Sequence, residues 1–148
     1  MIHERTAAVL HTDGASKGNP GPAGAGYVLA GADGQTLASA GIPLGVTTNN
    51  VAEYRGLIAG LEAAIQLGIT GIRVRTDSEL MVRQLEGRYR VKSARLKPLF
   101  QQARNLLQQF SDVNIQHVRR ESNEEADRLA SNAAKEAEKT QAEDDGNG

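Results

Sequence analysis

The sequence predicts a single α/β domain built on a five-stranded mixed sheet. Three strands form an antiparallel meander, two later strands lie parallel, and helices flank both faces. Three observations carry this. The apolar period changes from strand-like runs to three-and-four spacing near residue 50, and the two patterns then alternate. Nine of the 16 glycines lie between Gly14 and Gly45, where tight turns and close backbone packing call for them. At 148 residues with no cysteine, the chain suits one ordinary core without disulfides, in a reducing compartment such as the cytoplasm.

Thr6–Asp13 reads as a buried strand stopping at Gly14, and Gly14–Gly24 as a Gly/Pro loop. Ala25–Ala30 and Thr36–Ile42 are strands joined by the turn signal Asp33-Gly34. Asn50–Leu67 is an amphipathic helix with Val51, Tyr54, Leu57, Ile58, Leu61 and Ile65 as its stripe, ending at Gly68. Ile72–Thr76 alternates as a strand, Ser78–Leu85 is a short helix and Arg95–Phe110 a longer one. Val113–Val118 is the last strand and Asn123–Lys139 the last helix. Right-handed crossovers then place strands one, four and five side by side and parallel. The domain is expected to span 1–138, with 139–148 a disordered acidic tail.

Net charge is −1, which excludes a strongly basic coat over the whole chain. Locally, Arg73–Arg104 carries nine basic and three acidic residues. Such an excess can follow a polyanion, although charge runs are more often simply solvated. No apolar run approaches the ~20 residues of a membrane helix. Met1–Arg5 lacks the basic-then-apolar pattern of a secretory signal. A monomer without membrane or obligate protein partner is expected.

Two strand ends look alike, Thr12-Asp13-Gly14 and Thr76-Asp77-Ser78. Alone, an Asp after a strand is usually a turn former or a helix cap. At the carboxyl ends of adjacent parallel strands, two become neighbours. Glu53 falls beside the apolar stripe of its helix, in its first turn, where only Arg55 on another face could pair with it. Asp127 flanks the Ala126, Leu129, Ala133 stripe of the last helix. Four converging acids would repel one another unless hard divalent cations sat among them. Magnesium suits such oxygen ligands. Two ions ~3.5–4 Å apart form a phosphodiester-cleaving site.

The motifs HTDGAS (11–16), GNPGPAG (18–24), TNNVAE (48–53), TDSEL (76–80) and NEEADRLA (123–130) together resemble type 1 ribonuclease H, in order and spacing from about Thr6 to Ala137. The resemblance implies the ribonuclease H-like fold and endonucleolytic cleavage of the RNA strand of RNA–DNA hybrids, leaving 5′-phosphate and 3′-hydroxyl ends. It implies that Asp13, Glu53, Asp77 and Asp127 hold two Mg²⁺ ions, with Mn²⁺ able to substitute. It places Asn19, Asn49 and Asn50, with the backbone of Gly14, Ala15 and Ser16, near the substrate backbone and its 2′-hydroxyls, which an amide can match as donor and acceptor. Glu79 stands where some members have a glutamine; ionised, it can only accept. The basic helical insertion of many members is missing, as in compact bacterial and archaeal forms. Arg88, Arg90 and Lys92 stand in its place as candidate phosphate contacts, with Tyr89 among them. The histidine-bearing loop before the last helix is replaced by Arg119–Ser122, where Arg119 or Arg120 could meet developing charge. A non-catalytic binding module would need one of the four acids to be missing, and a related nuclease of the superfold would need a different spacing.

Overall fold

The computed structural model describes residues 7–147; the expected strand start at Thr6 lies outside them. The elements are β1 (Ala7–Ser16), β2 (Gly21–Gly31), β3 (Thr36–Thr47), α1 (Asn49–Gln66), β4 (Gly71–Thr76), α2 (Glu79–Leu85), α3 (Lys97–Leu107), β5 (Asp112–His117), a 3₁₀ turn (Arg120–Ser122) and α4 (Glu124–Asn147). The five strands lie in the order β3-β2-β1-β4-β5. β1 pairs antiparallel with β2 and parallel with β4, which pairs parallel with β5. The mixed meander-plus-parallel sheet read from the sequence is the one that forms.

Alternation along the strands divides the two faces. Leu10, Ile72 and Val74 are buried with Tyr54, Leu57 and Leu61 of α1 in the main core, and α3 adds Leu99 and Ala103. On the other face, α4 presents a stripe of Ala126, Ala130, Ala133, Ala134 and Ala137 to β2 and β3. The contact there is backbone to backbone. A Cβ on Gly24 would stand 2.4 Å from the Ala134 nitrogen, and one on Gly26 2.5 Å from the Ala126 oxygen.

That packing explains a departure from the sequence reading. Most of the expected loop Gly14–Gly24 is strand, because its glycines admit helices rather than turns. Only residues 17–20 remain as a connection, holding a cis Asn19–Pro20 bond and Gly18 at φ 96°. The α3 helix starts two residues later than expected. Pro98 sits in its first turn, where a missing N–H costs nothing. The residues expected to form a disordered tail continue α4 as far as Asn147, since Ala, Glu, Lys and Gln favour helix without tertiary support. Packing nevertheless ends at Ala137, and residues 138–144 are exposed. Among the described residues, no helix is long and apolar enough to cross a membrane.

Candidate active site

Asp13 is one residue past the last pairing of β1 with β4, and Asp77 directly follows β4. The parallel register, Thr12 opposite Thr76, therefore sets the two carboxylates side by side. Glu53 arrives from α1. Thr48 caps that helix, its Oγ1 accepting from the Val51 amide at 3.3 Å. The helix starts one residue earlier than the sequence suggests, so Glu53 lies in the second turn rather than the first. The macrodipole then offers it less. What brings it in is Gly14, where a Cβ would stand 2.3 Å from the Glu53 nitrogen; the missing side chain lets α1 rest directly on β1. Carboxylate oxygens of Asp13, Glu53 and Asp77 all lie within 4.8 Å of one another.

Asp127 comes from α4, on the other face of the sheet, and shares a hydrogen bond with the Asp13 carboxyl. It stands outside the tight group of three and is partly exposed, with Arg120 Nη2 at 3.7 Å from its Oδ1. The arginine that the sequence offered near this edge is thus in place beside the fourth acid.

Electrostatics at the cluster are unfavourable for ionised acids alone. Burial, then the charge of Asp77 and the hydrogen bond with Asp127, pushes Asp13 up to about 8, although the Gly14 amide donates to its Oδ1 at 2.9 Å. Glu53 is 6% exposed. Burial and the charges of Asp13 and Asp77 raise it well above the ordinary carboxylate range, against the opposing pull of the Gly14 amide and the Asn49 side chain. Its Oε2 is buried with no hydrogen-bond partner among the described residues. An all-oxygen donor set with a buried orphan oxygen fits a hard divalent cation, for which Asp13, Glu53 and Asp77 supply the ligands.

The other residues read from the sequence fall into four groups. Gly14, Ala15 and Ser16 end β1 beside the cluster. Asn19 lies in the short connection, and its Oδ1 accepts from the Asn49 amide at 3.0 Å, which joins the asparagine positions across 30 residues of chain. Asn50 is exposed in the first turn of α1. Glu79 is already engaged: its Oε1 accepts from Arg83 Nε and Nη2 at 3.0 and 2.7 Å, and that guanidinium holds it below the usual carboxylate range. Arg88, Arg90 and Lys92 are exposed. Arg83, rather than the flanking basic residues, lies over the Tyr89 ring at 5.7 Å. A groove between α2 and β5 is lined by Glu79, Arg83, Arg88 and His117.

One residue escaped the sequence reading. Asn123 is 1% exposed and donates its Nδ2 to the Thr12 carbonyl at 2.9 Å. Its signal was an amide four residues before Asp127, which is indistinguishable in sequence from an ordinary helix start.

A mixed sheet of this order, with its acids gathered at the carboxyl edge of the two central parallel strands, defines the ribonuclease H-like class of proteins. A family model described as "Reverse transcriptase-like" matches residues 11–133. A bifunctional protein of Mycobacterium tuberculosis is 49% identical over 137 residues, 92% of this chain and 38% of its own length; the chain thus spans well under half of that curated relative. The N-terminal RNase H domain of that protein, solved as a fusion with maltose-binding protein, superposes with a TM-score of 0.90 at 47% identity, covering 92% of this chain and 99% of that one. RNase H1 of the halophilic archaeon Halobacterium salinarum gives 0.84 at 45% identity, covering 88% and 98%. LC11-RNase H1, isolated from compost and solved with an RNA/DNA hybrid, gives 0.82 at 39%, also covering 88% and 98%. The chain belongs to the ribonuclease H family.

Proposed function

We propose that this chain is an endoribonuclease that hydrolyses the RNA strand of RNA–DNA hybrids. The observation that carries the reading is the convergence of Asp13, Glu53 and Asp77 within 4.8 Å. Similarity to an RNase H1 solved on an RNA/DNA hybrid supports the substrate. In the reaction, the oxygen of water bonds to phosphorus while the bond from phosphorus to the 3′ oxygen breaks. That oxygen takes a proton, leaving 3′-hydroxyl and 5′-phosphate ends. Two Mg²⁺ ions, or Mn²⁺ in their place, would supply an activated water and neutralise charge on the leaving oxygen.

The chain's own groups divide the remaining work. Asp13, which lies against both Asp77 and Asp127, would be the principal carboxylate holding the metal. Glu53 and Asp77 would complete the tight set of ligands, and Asp127, beside Asp13, would join them from the α4 side. Arg120, beside Asp127, meets charge that develops at the scissile phosphate. Asn19, Asn49 and Asn50 with the Gly14–Ser16 backbone read the 2′-hydroxyl, the group that separates RNA from DNA. Arg88, Arg90 and Lys92 contact phosphates and carry no base information. With Glu79 tied to Arg83, this pair offers a cation's hydrogen bonds where a glutamine would offer an amide. The protein acts as a cytoplasmic monomer in this reading.

The test is cleavage of an end-labelled hybrid with Mg²⁺, with Mn²⁺ and with chelator. Cleavage confined to the RNA strand and dependent on metal is expected. Folded protein that cuts under neither ion overturns the reading.

A further inference from the structure

The proposed function uses only part of the positive charge that the sequence concentrates between residues 73 and 104. Arg73 and Arg75 lie on β4, away from the residues already assigned. Ile72, Val74 and Thr76 of that strand are buried, on the side of α1. Alternation therefore turns Arg73 and Arg75 to the opposite face. There α4 packs chiefly across β1, β2 and β3 among the described residues. Arg73 is exposed, as are Asn114 and Gln116 beside it on β5. The register forms two rows, Val9–Arg73–Asn114 and His11–Arg75–Gln116.

Neither arginine takes part in an ion pair among the described residues. The Nε of Arg75 is buried and has no hydrogen-bond partner. Among the described residues the acids in line with them are Asp112, a row below Arg73, and Asp77 of the cluster, past Arg75. Two residues along a strand span roughly 7 Å, so Arg75 and Arg73 follow Asp77 in steps of about that length. Arg120 marks the upper end of the same face, beside Asp127. Guanidinium groups without an ion pair among the described residues thus descend from the carboxylate cluster, Arg75 half-buried and Arg73 exposed.

We propose that this face binds single-stranded nucleic acid leaving the end of a hybrid, with Arg75 and Arg73 each on a phosphate. The proposal rests on the hybrid reading above. Guanidinium forks match phosphate oxygens, and an arginine whose nearby groups leave it unpaired has donors to give. A duplex is too stiff to turn from the cleft onto the side of the sheet, its persistence length being about 50 nm; a single strand can. Among the side chains of the two rows only the His11 imidazole is aromatic, so stacking adds little. Binding should be independent of sequence and strongly dependent on salt. An acidic peptide would suit the charge equally, but nothing else on this edge of the molecule would lead a peptide there.

The experiment compares a blunt hybrid with hybrids bearing a 5′ or 3′ single-stranded extension of the RNA or DNA strand. Affinity is read by anisotropy across a salt series, in an Asp13→Asn background that keeps the substrate whole. One extension should tighten binding about fivefold at low salt and steepen the log–log salt slope by about 1.4, the value for two single-strand phosphate contacts. Arg73→Gln/Arg75→Gln should lose both gains, yet bind the blunt hybrid as before and, with Asp13 restored, cleave it at the unaltered rate. Arg73→Gln alone, at an exposed position, should lose half of the added slope and guards against a double variant that fails to fold. The proposal is overturned if no extension tightens binding, if the gain survives the substitutions, or if oligoglutamate of equal charge displaces the extension equally well. Failure to cleave the blunt hybrid would instead sink the hybrid reading; cleavage without any effect of extensions would remove only this assignment.

Discussion

Asn123 bonds through its side-chain amide to the carbonyl of Thr12, 111 residues away, at 2.9 Å. Thr12 precedes Asp13, and the Asn123 carbonyl accepts from the Asp127 amide at 3.0 Å. One buried side chain therefore fixes the two acids relative to each other, across the face of the sheet. Asn123→Ala should lower kcat by about tenfold with little change in KM, and destabilise the fold by about 1–3 kcal/mol through the unpaired Thr12 carbonyl. Steady-state kinetics and urea unfolding check both. A variant with wild-type kcat would show that Asp127 is held by other means.

Asp13→Asn should abolish metal-dependent cleavage and yet raise the stability of the metal-free protein at pH 8. The substitution removes a buried negative charge that Asp77 and Glu53 oppose. Thermal unfolding in chelator should show a gain of about 3 °C or more. Retained cleavage would displace Asp13 from the centre of the site.

The same burial makes stability depend on pH in the metal-free state. Asp13 titrates near 8 in the folded chain against about 3.9 when unfolded. Between those values the folded state holds more protons, so stability falls as pH rises from about 4 to about 8. The raised Glu53 acts in the same direction. Urea unfolding in chelator at pH 5 and pH 8.5 should show a loss of about 4 kcal/mol, and bound Mg²⁺ should reduce it. A metal-free protein equally stable at both values would contradict this.

Gly14→Ala should impair the site from a distance. Its Cβ would stand 2.3 Å from the Glu53 nitrogen and 2.4 Å from the Ala52 carbonyl carbon, so α1 must move and take Glu53 with it. A loss of about 1–3 kcal/mol in stability together with weaker activation by metal is expected. Titration of activity against Mg²⁺ separates this from a simple folding defect.

Replacing Arg88, Arg90 and Lys92 by alanine together should weaken hybrid binding and flatten its salt slope by up to about 2.7. All three are exposed, and among the described residues only Arg88 has an ion-pair partner, Glu86 at 3.9 Å, so the fold should be unaffected. An unchanged slope would return these residues to an ordinary solvated face.

Much of the molecule was legible in the chain alone. Element order followed from local periodicity, because each strand and helix buries one face. Asp13 and Asp77 could be paired because parallel adjacency of two similar strand ends leaves little choice. Glu53 stood out as an acid beside an apolar stripe. Glycine was the ambiguous letter: at Gly14, Gly24 and Gly26 it signals close contact with a helix, yet in sequence it looks like a loop.

Local pattern thus determined which residues this protein would use and on which elements they ride. Tertiary structure alone decided who meets whom: that Asp127 lies beside Asp13 but outside the tight trio, that Glu79 is taken by Arg83, that Asn123 reaches Thr12, and that Arg73 and Arg75 face away from α1. Those relationships depend on strand register and on which helix crosses which face. Both are set by contacts between residues remote in sequence, where periodicity carries no information.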